Sequence, residues 1–571
     1  MLATILIWFY VTLLSLIYGL LLIKLLNKIF KFNGNLPSSS AILIIGLCFI
    51  SVLILYLSFF IKIGFFANII ILAIGVIFLI IEFRNVTNLL SEYFIKIKET
   101  NKYILLLFLI TFFIILIKTS SSPILYDTGL YHAQAIRWIE EYQVIPGLGN
   151  LHGRFAFNSS WFLPSALFSF AFFNLQSFHV LNGLFLMFGI LFSLGGIHKI
   201  INRDFRLSNI IKTCVFGLLI ILYSGAVSSP SPDLPVAFLI WFLFILFLEK
   251  IEDVNYYSFD ISSILIVMIA VFILTIKISA SPIIILPIFI ISKELLKGEK
   301  IRVMILVVLV LLIFIPWILR NIILSGYLVY PFPNIDIFNF DWKIPIQKVI
   351  SEKNWVESWS RIPGQDADEV LKMSFFEWEP IWFKNQSILD KIILYIIEFT
   401  SALYILYIAA NIKNLKNWFD AYKKYLIPYF TACIGFLFWF STAPDFRFGY
   451  GFLIILSLLL VIPLLKKLFT RIKILEGINK ATIALIVLGI IIILEIISLP
   501  NMSAIIKDRL LLPADYITVN TNKTTLQTLD IYMPIGDDKC FYYAFPCTPY
   551  LDKGLDLRGD KLEDGFRIKK D

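Results

Sequence analysis

Asp127, Tyr131, His132, His152 and Arg154 fall within one long polar stretch, Leu125–Trp161, of an otherwise apolar chain. A carboxylate beside an aromatic wall can act as a general base towards a hydroxyl. Tyr131 and His132 lie one helical turn beyond Asp127, spaced to gather near it on a short amphipathic helix. The plainer alternative for Asp127 is an N-cap, accepting from the free N–H groups at that helix start. His132 and His152 could join Asp127 as metal ligands, but no close ligand spacing supports this. They are expected to be hydrogen-bonded fixtures, with no metal. Gly147, Gly149 and Gly153 mark tight turns. Asn158, Ser159 and Ser160 are expected to cap a half-inserted or interfacial run, Phe162–Phe173, with Trp161 at the membrane interface.

Further polar breaks lie far downstream: Ser228–Pro235 with Asp233, Thr275–Pro282 with Lys277, and Ala443–Gly449 with Asp445 and Arg447. Arg320 and Asn321 end another apolar run. Any one basic residue at a helix end can be a snorkelling anchor. Taken together, these breaks are better explained as the rim of one cavity at the membrane surface. Lys277, Arg320 and Arg447 would there grip an anionic head group, arginine offering a rigid fork of donors to phosphate. Glu398 stands inside an apolar run with no evident role.

The elements that position these residues are helices in a membrane. Of 571 residues 59% are hydrophobic and 16% charged, too apolar for a soluble globule. Repeated long apolar runs predict an all-α polytopic membrane protein with about 14 spanning helices. The segment Leu2–Leu22 reads as a retained helix rather than a signal peptide, having no basic start and no cleavage site. The net charge of +9 is topology rather than a nucleic-acid patch. Basic clusters at Lys24–Lys31, Arg84–Lys102, Lys199–Lys212, Lys293–Arg302, Lys413–Lys424 and Lys466–Lys480 assort to one side, the cytoplasmic one. The alternate short loops are nearly free of Lys and Arg, with Lys62, Lys277 and Arg447 as exceptions. The N-terminus, the loops 119–177 and 323–388 and the tail are then extracytoplasmic. The division is 1–100, three N-terminal helices; 101–499, the main transmembrane region; and 500–571, a small α/β tail with strand-like pieces such as Tyr516–Val519. In that tail Cys540 and Cys547 stand as a disulfide or as two free thiols. The tryptophans of 323–388 offer sugar-stacking surfaces or interfacial anchors.

Tyr126–His132, with its acidic residue soon after a helix end, resembles the first outer loop of GT-C superfamily membrane glycosyltransferases, which use polyprenyl-phosphate-linked sugars. The segments around Asp233, Lys277 and Asp445–Arg447 are similar to short acidic and basic elements in such proteins. The string YHxQxIxWIEEYxxxPGLGNLHGRxxFNSSW, matched by Tyr131–Trp161, looks like that of a little-characterised group of bacterial multi-pass proteins, as does Pro316–Pro331. The resemblance covers roughly 100–470 and leaves the first three helices as an addition; the loop has one Asp where many members carry paired acidic residues. It implies a GT-C-like bundle in the bacterial plasma membrane that transfers a sugar from a polyprenyl-phosphate donor to a lipid, glycan or protein acceptor on the outer face. Asp127 would be the base, and Lys277 and Arg447 the phosphate contacts. Arg320 and Asp233 are weaker candidates. A polysaccharide polymerase or ligase, and a lipid-linked sugar transporter or flippase, are the alternatives.

Overall fold

The computed structural model describes residues 1–32, 36–84, 86–87, 91, 98, 100–253, 258–410, 422–471, 480–497, 502–527 and 529–569. Parts of three expected basic clusters, Lys96 and those within 411–421 and 472–479, lie outside the described residues. Eleven helices among those described are long and apolar enough to cross a membrane, from Leu2–Phe30 to Phe446–Leu465. Three further expected spans take the form of apolar helices Phe65–Ile81, Ile261–Ile276 and Lys480–Ile497.

Asp233–Glu252 is the most enclosed of the long helices and packs against Leu207–Tyr223, Ile261–Ile276 and Phe446–Arg471. Its apolar residues are buried all round, as expected of a helix at a bundle centre. Lys300–Ser325 and Ile388–Ala410 are largely uncovered by protein and present apolar side chains outward. The first two helices pack closely through small residues, since a Cβ on Gly46 would lie 1.7 Å from the Ser15 carbonyl oxygen. Such contacts are how membrane helices gain packing without a hydrophobic drive between them.

The run after Trp161 departs from expectation. Phe162–Leu167 is a short helix with every residue buried, followed by a single turn at Ala171–Phe173. Trp161 is fully buried and donates its indole N–H to Asn182 at 2.7 Å, so it is a core residue rather than an interfacial anchor. Asn158 does not cap that helix; it exchanges hydrogen bonds with Trp317, through its side chain at 2.9 Å and its carbonyl at 2.7 Å. A buried indole must place its N–H on an acceptor, and here two tryptophans do so by tying the loop to neighbouring helices.

Among the described residues the tail holds two small antiparallel sheets, Thr521–Leu526 with Leu529–Pro534 and Leu555–Leu557 with Phe566–Ile568. Tyr516–Val519 is not a strand; Tyr516 is buried, stacked on Tyr542 with its ring edge against His179. Cys540 and Cys547 form a disulfide.

Candidate functional site

Asp127 opens a five-residue π turn, Thr128–His132, that runs into the helix Ala133–Glu141. Its side chain caps nothing. The two oxygens instead accept from two arginines, Arg154 at 3.2 Å and Arg447 at 3.3 Å. The N-cap alternative therefore gives way to a carboxylate bridged between guanidinium groups from distant parts of the chain.

Arg447 is also held by Asp445, whose carboxylate takes Nη2 at 2.8 Å and Nε at 3.1 Å. The break before it is fixed by two indoles, since Trp382 donates to the Pro444 carbonyl and Trp439 to that of Asp445, at 2.8 and 2.7 Å. Next along the helix, the Phe448 ring lies 3.8 Å beneath the Lys277 ammonium. Lys277 in turn donates to Asp233 at 2.5 Å. Asp127, Asp233, Lys277, Asp445 and Arg447 are thus assembled from four segments at one end of the bundle. Arg154 extends the cluster into the long loop. It pairs with Glu352 at 3.5 Å, and its guanidinium stacks over Trp355 at 4.3 Å and Tyr131 at 5.6 Å. Burial pushes the Glu352 carboxyl above its ordinary range, against the opposing pull of Arg154.

His132 and Tyr131 lie behind the ion pairs, ring against ring. Burial lowers the His132 pKa to about 4, while Asp127, Asp233, Lys277 and Arg154 all act on it electrostatically. Its Nδ1 is buried without a hydrogen-bond partner. His152 is elsewhere, packed between Phe155 and Tyr550, with its pKa lowered to about 3 by burial and then by Arg154. Both are neutral core histidines. Among the described residues no three His, Cys, Asp or Glu side chains are arranged to hold a metal ion.

Like His152, Arg320 is an expected site residue that the fold does not bring to the cluster. It is buried and donates to Ser58 at 3.0 Å, beside a small cavity under Trp138 and Phe162. Among the described residues it takes part in none of the cluster's ion pairs. Glu398 is exposed on the outer surface of its helix. The tryptophans of 323–388 divide. Trp378 and Trp382 are buried, while Trp355 and Trp359 are part-exposed and stacked on each other with centroids 5.0 Å apart.

The tail covers the loop that carries Asp127. Gln134 donates to the carbonyls of Phe541 and Ala544 at 2.9 and 2.7 Å. Arg137 donates to those of Tyr542 and Tyr543, each at 2.7 Å. Phe541 N–H donates to the Gly129 carbonyl at 2.9 Å, and Tyr126 bonds Asp538. At Gly147 the backbone is left-handed, φ +65°, and a Cβ there would sit 2.1 Å from the Phe566 carbonyl oxygen, so only glycine admits the tail.

Residues 1–454 match the model of a family described as a domain of unknown function, DUF8201. The chain belongs to this family. Its match takes in the first three helices and all of the charged cluster, and leaves the tail outside. No curated protein and no solved structure matches the chain. Glu352 was not singled out from the sequence, and neither was the docking of the tail on Gln134 and Arg137. A glutamate in a polar amphipathic helix carries no pattern that distinguishes it from a solvated one.

Proposed function

We propose that the DUF8201 chain is a membrane glycosyltransferase of GT-C type, taking a sugar from a polyprenyl-phosphate donor at the outer face of the bacterial plasma membrane. The observation that carries this reading is the bridge Arg154–Asp127–Arg447 beside the Lys277–Asp233 pair, at the ends of apolar helices. A lipid-borne phosphate would enter from the hydrocarbon and meet cations there. As it binds, it competes with Asp127 for the Arg447 fork, leaving one carboxylate oxygen free for an acceptor hydroxyl. The hydroxyl oxygen forms its bond to the anomeric carbon as the bond from that carbon to the phosphate oxygen breaks. Asp127 takes the hydroxyl proton, and the departing phosphate keeps the bonding electron pair. Fixed cations aimed at that developing charge are the larger contribution in such a step. The acceptor is an envelope lipid, glycan or protein, and the chemistry asked of these residues needs no metal.

The test is binding of polyprenyl phosphate to purified protein, followed by transfer from polyprenyl-phosphate-linked sugars. Arg447→Ala should lose binding, and Asp127→Asn should keep binding but lose transfer. Binding with full transfer in Asp127→Asn removes the general base. Absence of binding in every variant, wild type included, overturns the reading and favours a transporter.

A further inference from the structure

Three basic residues interrupt the Lys- and Arg-poor short loops at the Asp127 end of the bundle. Lys277 and Arg447 belong to the charged cluster, and Lys62 does not. Its loop is joined to the polar segment by hydrogen bonds from Ile63 N–H to the Ile139 carbonyl and from Val144 N–H to that of Ser58, 2.9 and 3.0 Å. Lys62 instead lines a separate cavity of about 650 Å³, between this loop, the turn after Phe162–Leu167 and the tail.

The cavity has two kinds of wall. One is apolar and open to the bundle surface, with Phe65, Phe66 and Leu175 at 50, 69 and 67% exposure. The other is polar, built on Glu140, Glu141 and Ser177. Glu140 is already occupied, accepting from Tyr542 Oη at 2.6 Å and Ser177 Oγ at 3.0 Å. It fixes the wall and leaves Glu141 as the available carboxylate. Glu141 and Lys62 face each other across 3.9 Å with side chains 43 and 58% exposed, a loose pair open to exchange with a ligand.

An anion site and a cation site side by side, under apolar side chains, match a zwitterionic headgroup and its acyl chains. We infer that this cavity binds an aminophospholipid, its phosphate on Lys62, its primary ammonium on Glu141 and its chains over Phe65, Phe66 and Leu175. A primary ammonium is favoured over a quaternary one because the polar wall offers hydrogen-bond acceptors that only N–H donors can use. The site is separate from the charged cluster and does not depend on the transfer chemistry.

Native mass spectrometry of the detergent-solubilised full chain, incubated with an equimolar mixture of phosphatidylethanolamine, phosphatidylglycerol and phosphatidylcholine, tests this. Wild type should retain phosphatidylethanolamine about fivefold over each of the others. Glu141→Ala, which removes the acceptor a primary ammonium would use, should abolish the preference over phosphatidylcholine, and Lys62→Ala should lower retention of all three. Both side chains are part-exposed, so each variant should unfold at the wild-type temperature. Equal retention of the three lipids by wild type overturns the inference, as does a preference for the choline or glycerol headgroup. A preference that survives both substitutions does the same.

Discussion

Arg447 serves two carboxylates at once, and that sets what a substitution there does. Its Nη1 reaches Asp127 while Nε and Nη2 hold Asp445. Lysine keeps the charge but cannot span both partners, because an ammonium is a point donor on a flexible stem. Arg447→Lys should therefore weaken polyprenyl-phosphate binding by about tenfold, the scale of one lost charge-assisted hydrogen bond. Titration of the purified variant checks this, and wild-type affinity would show that charge alone suffices. Buried titratable groups of the polar loop set a pH profile. His132 and His152 have pKa values lowered to about 4 and about 3, burial being the main cause. An unfolded histidine titrates near 6.5, so between those values the unfolded chain binds more protons and stability falls as pH drops. Glu140, raised to about 7 chiefly by burial, acts in the opposite sense. Its native carboxyl stays protonated above its unfolded value, so its share of stability is lost as pH rises towards 7. Replacing His152 with Gln should flatten the acid limb of the unfolding temperature between pH 3 and 6, while Glu140→Gln should remove a fall in unfolding temperature between pH 5 and 7. Unaltered limbs in a folded variant would mean that these groups are not the titrating ones.

At the scale of elements, the polar loop is held from outside as much as by its own turns. The carbonyls of the aromatic run between Cys540 and Cys547 are the acceptors for Gln134 and Arg137, on the helix that follows Asp127. Closing so short a loop removes about 2–3 kcal/mol of conformational freedom in chain-entropy terms. Reduction should loosen the run and raise amide hydrogen exchange across Gly129–Arg137, with little change in the central helix Asp233–Glu252. Unchanged exchange in the loop would show that the tail's other contacts suffice. This is also where the sequence stopped being informative. The placement of Asp127 just beyond a helix end was legible, because apolar length and polar interruption are one-dimensional signals. A shared cavity for the breaks at Asp233, Lys277 and Arg447 is inferred from their common depth, which does not specify the pairs Lys277–Asp233 and Arg447–Asp127, and that same reasoning misplaced Arg320. Depth along a helix is readable, but the face it turns to depends on packing. Trp161 illustrates the same limit, since an aromatic at an apolar boundary has the composition of an anchor whether its neighbour is lipid or Phe185.

At the scale of the whole molecule, the question is which ends of the helices share a side. Leu2 and Ala3 donate to the Leu510 and Leu511 carbonyls, and Ala514 donates to that of Ser120. These bonds bring the start of the first helix, the tail and the Asp127 loop to one end of the bundle. Lys24 and Lys28 lie towards the other end of Leu2–Phe30. Basic residues in short loops stay on the cytoplasmic side because translocating them is unfavourable. On this ground we propose that the charged cluster and the Lys62–Glu141 cavity both face outward. Single cysteines placed at Lys523 and Lys297, in a chain whose Cys433 is replaced, report on it. An impermeant maleimide applied to intact cells (spheroplasts, if an outer membrane is present) should label position 523 and leave 297 unlabelled until the membrane is broken. Lys523 is 56% exposed and Lys297 38%, so lack of access in the folded chain would not explain a difference. The reverse pattern would put the cluster in the cytoplasm. A donor presented outside could not reach it there, and the transfer reaction proposed above would fail on geometry before any question of chemistry arose.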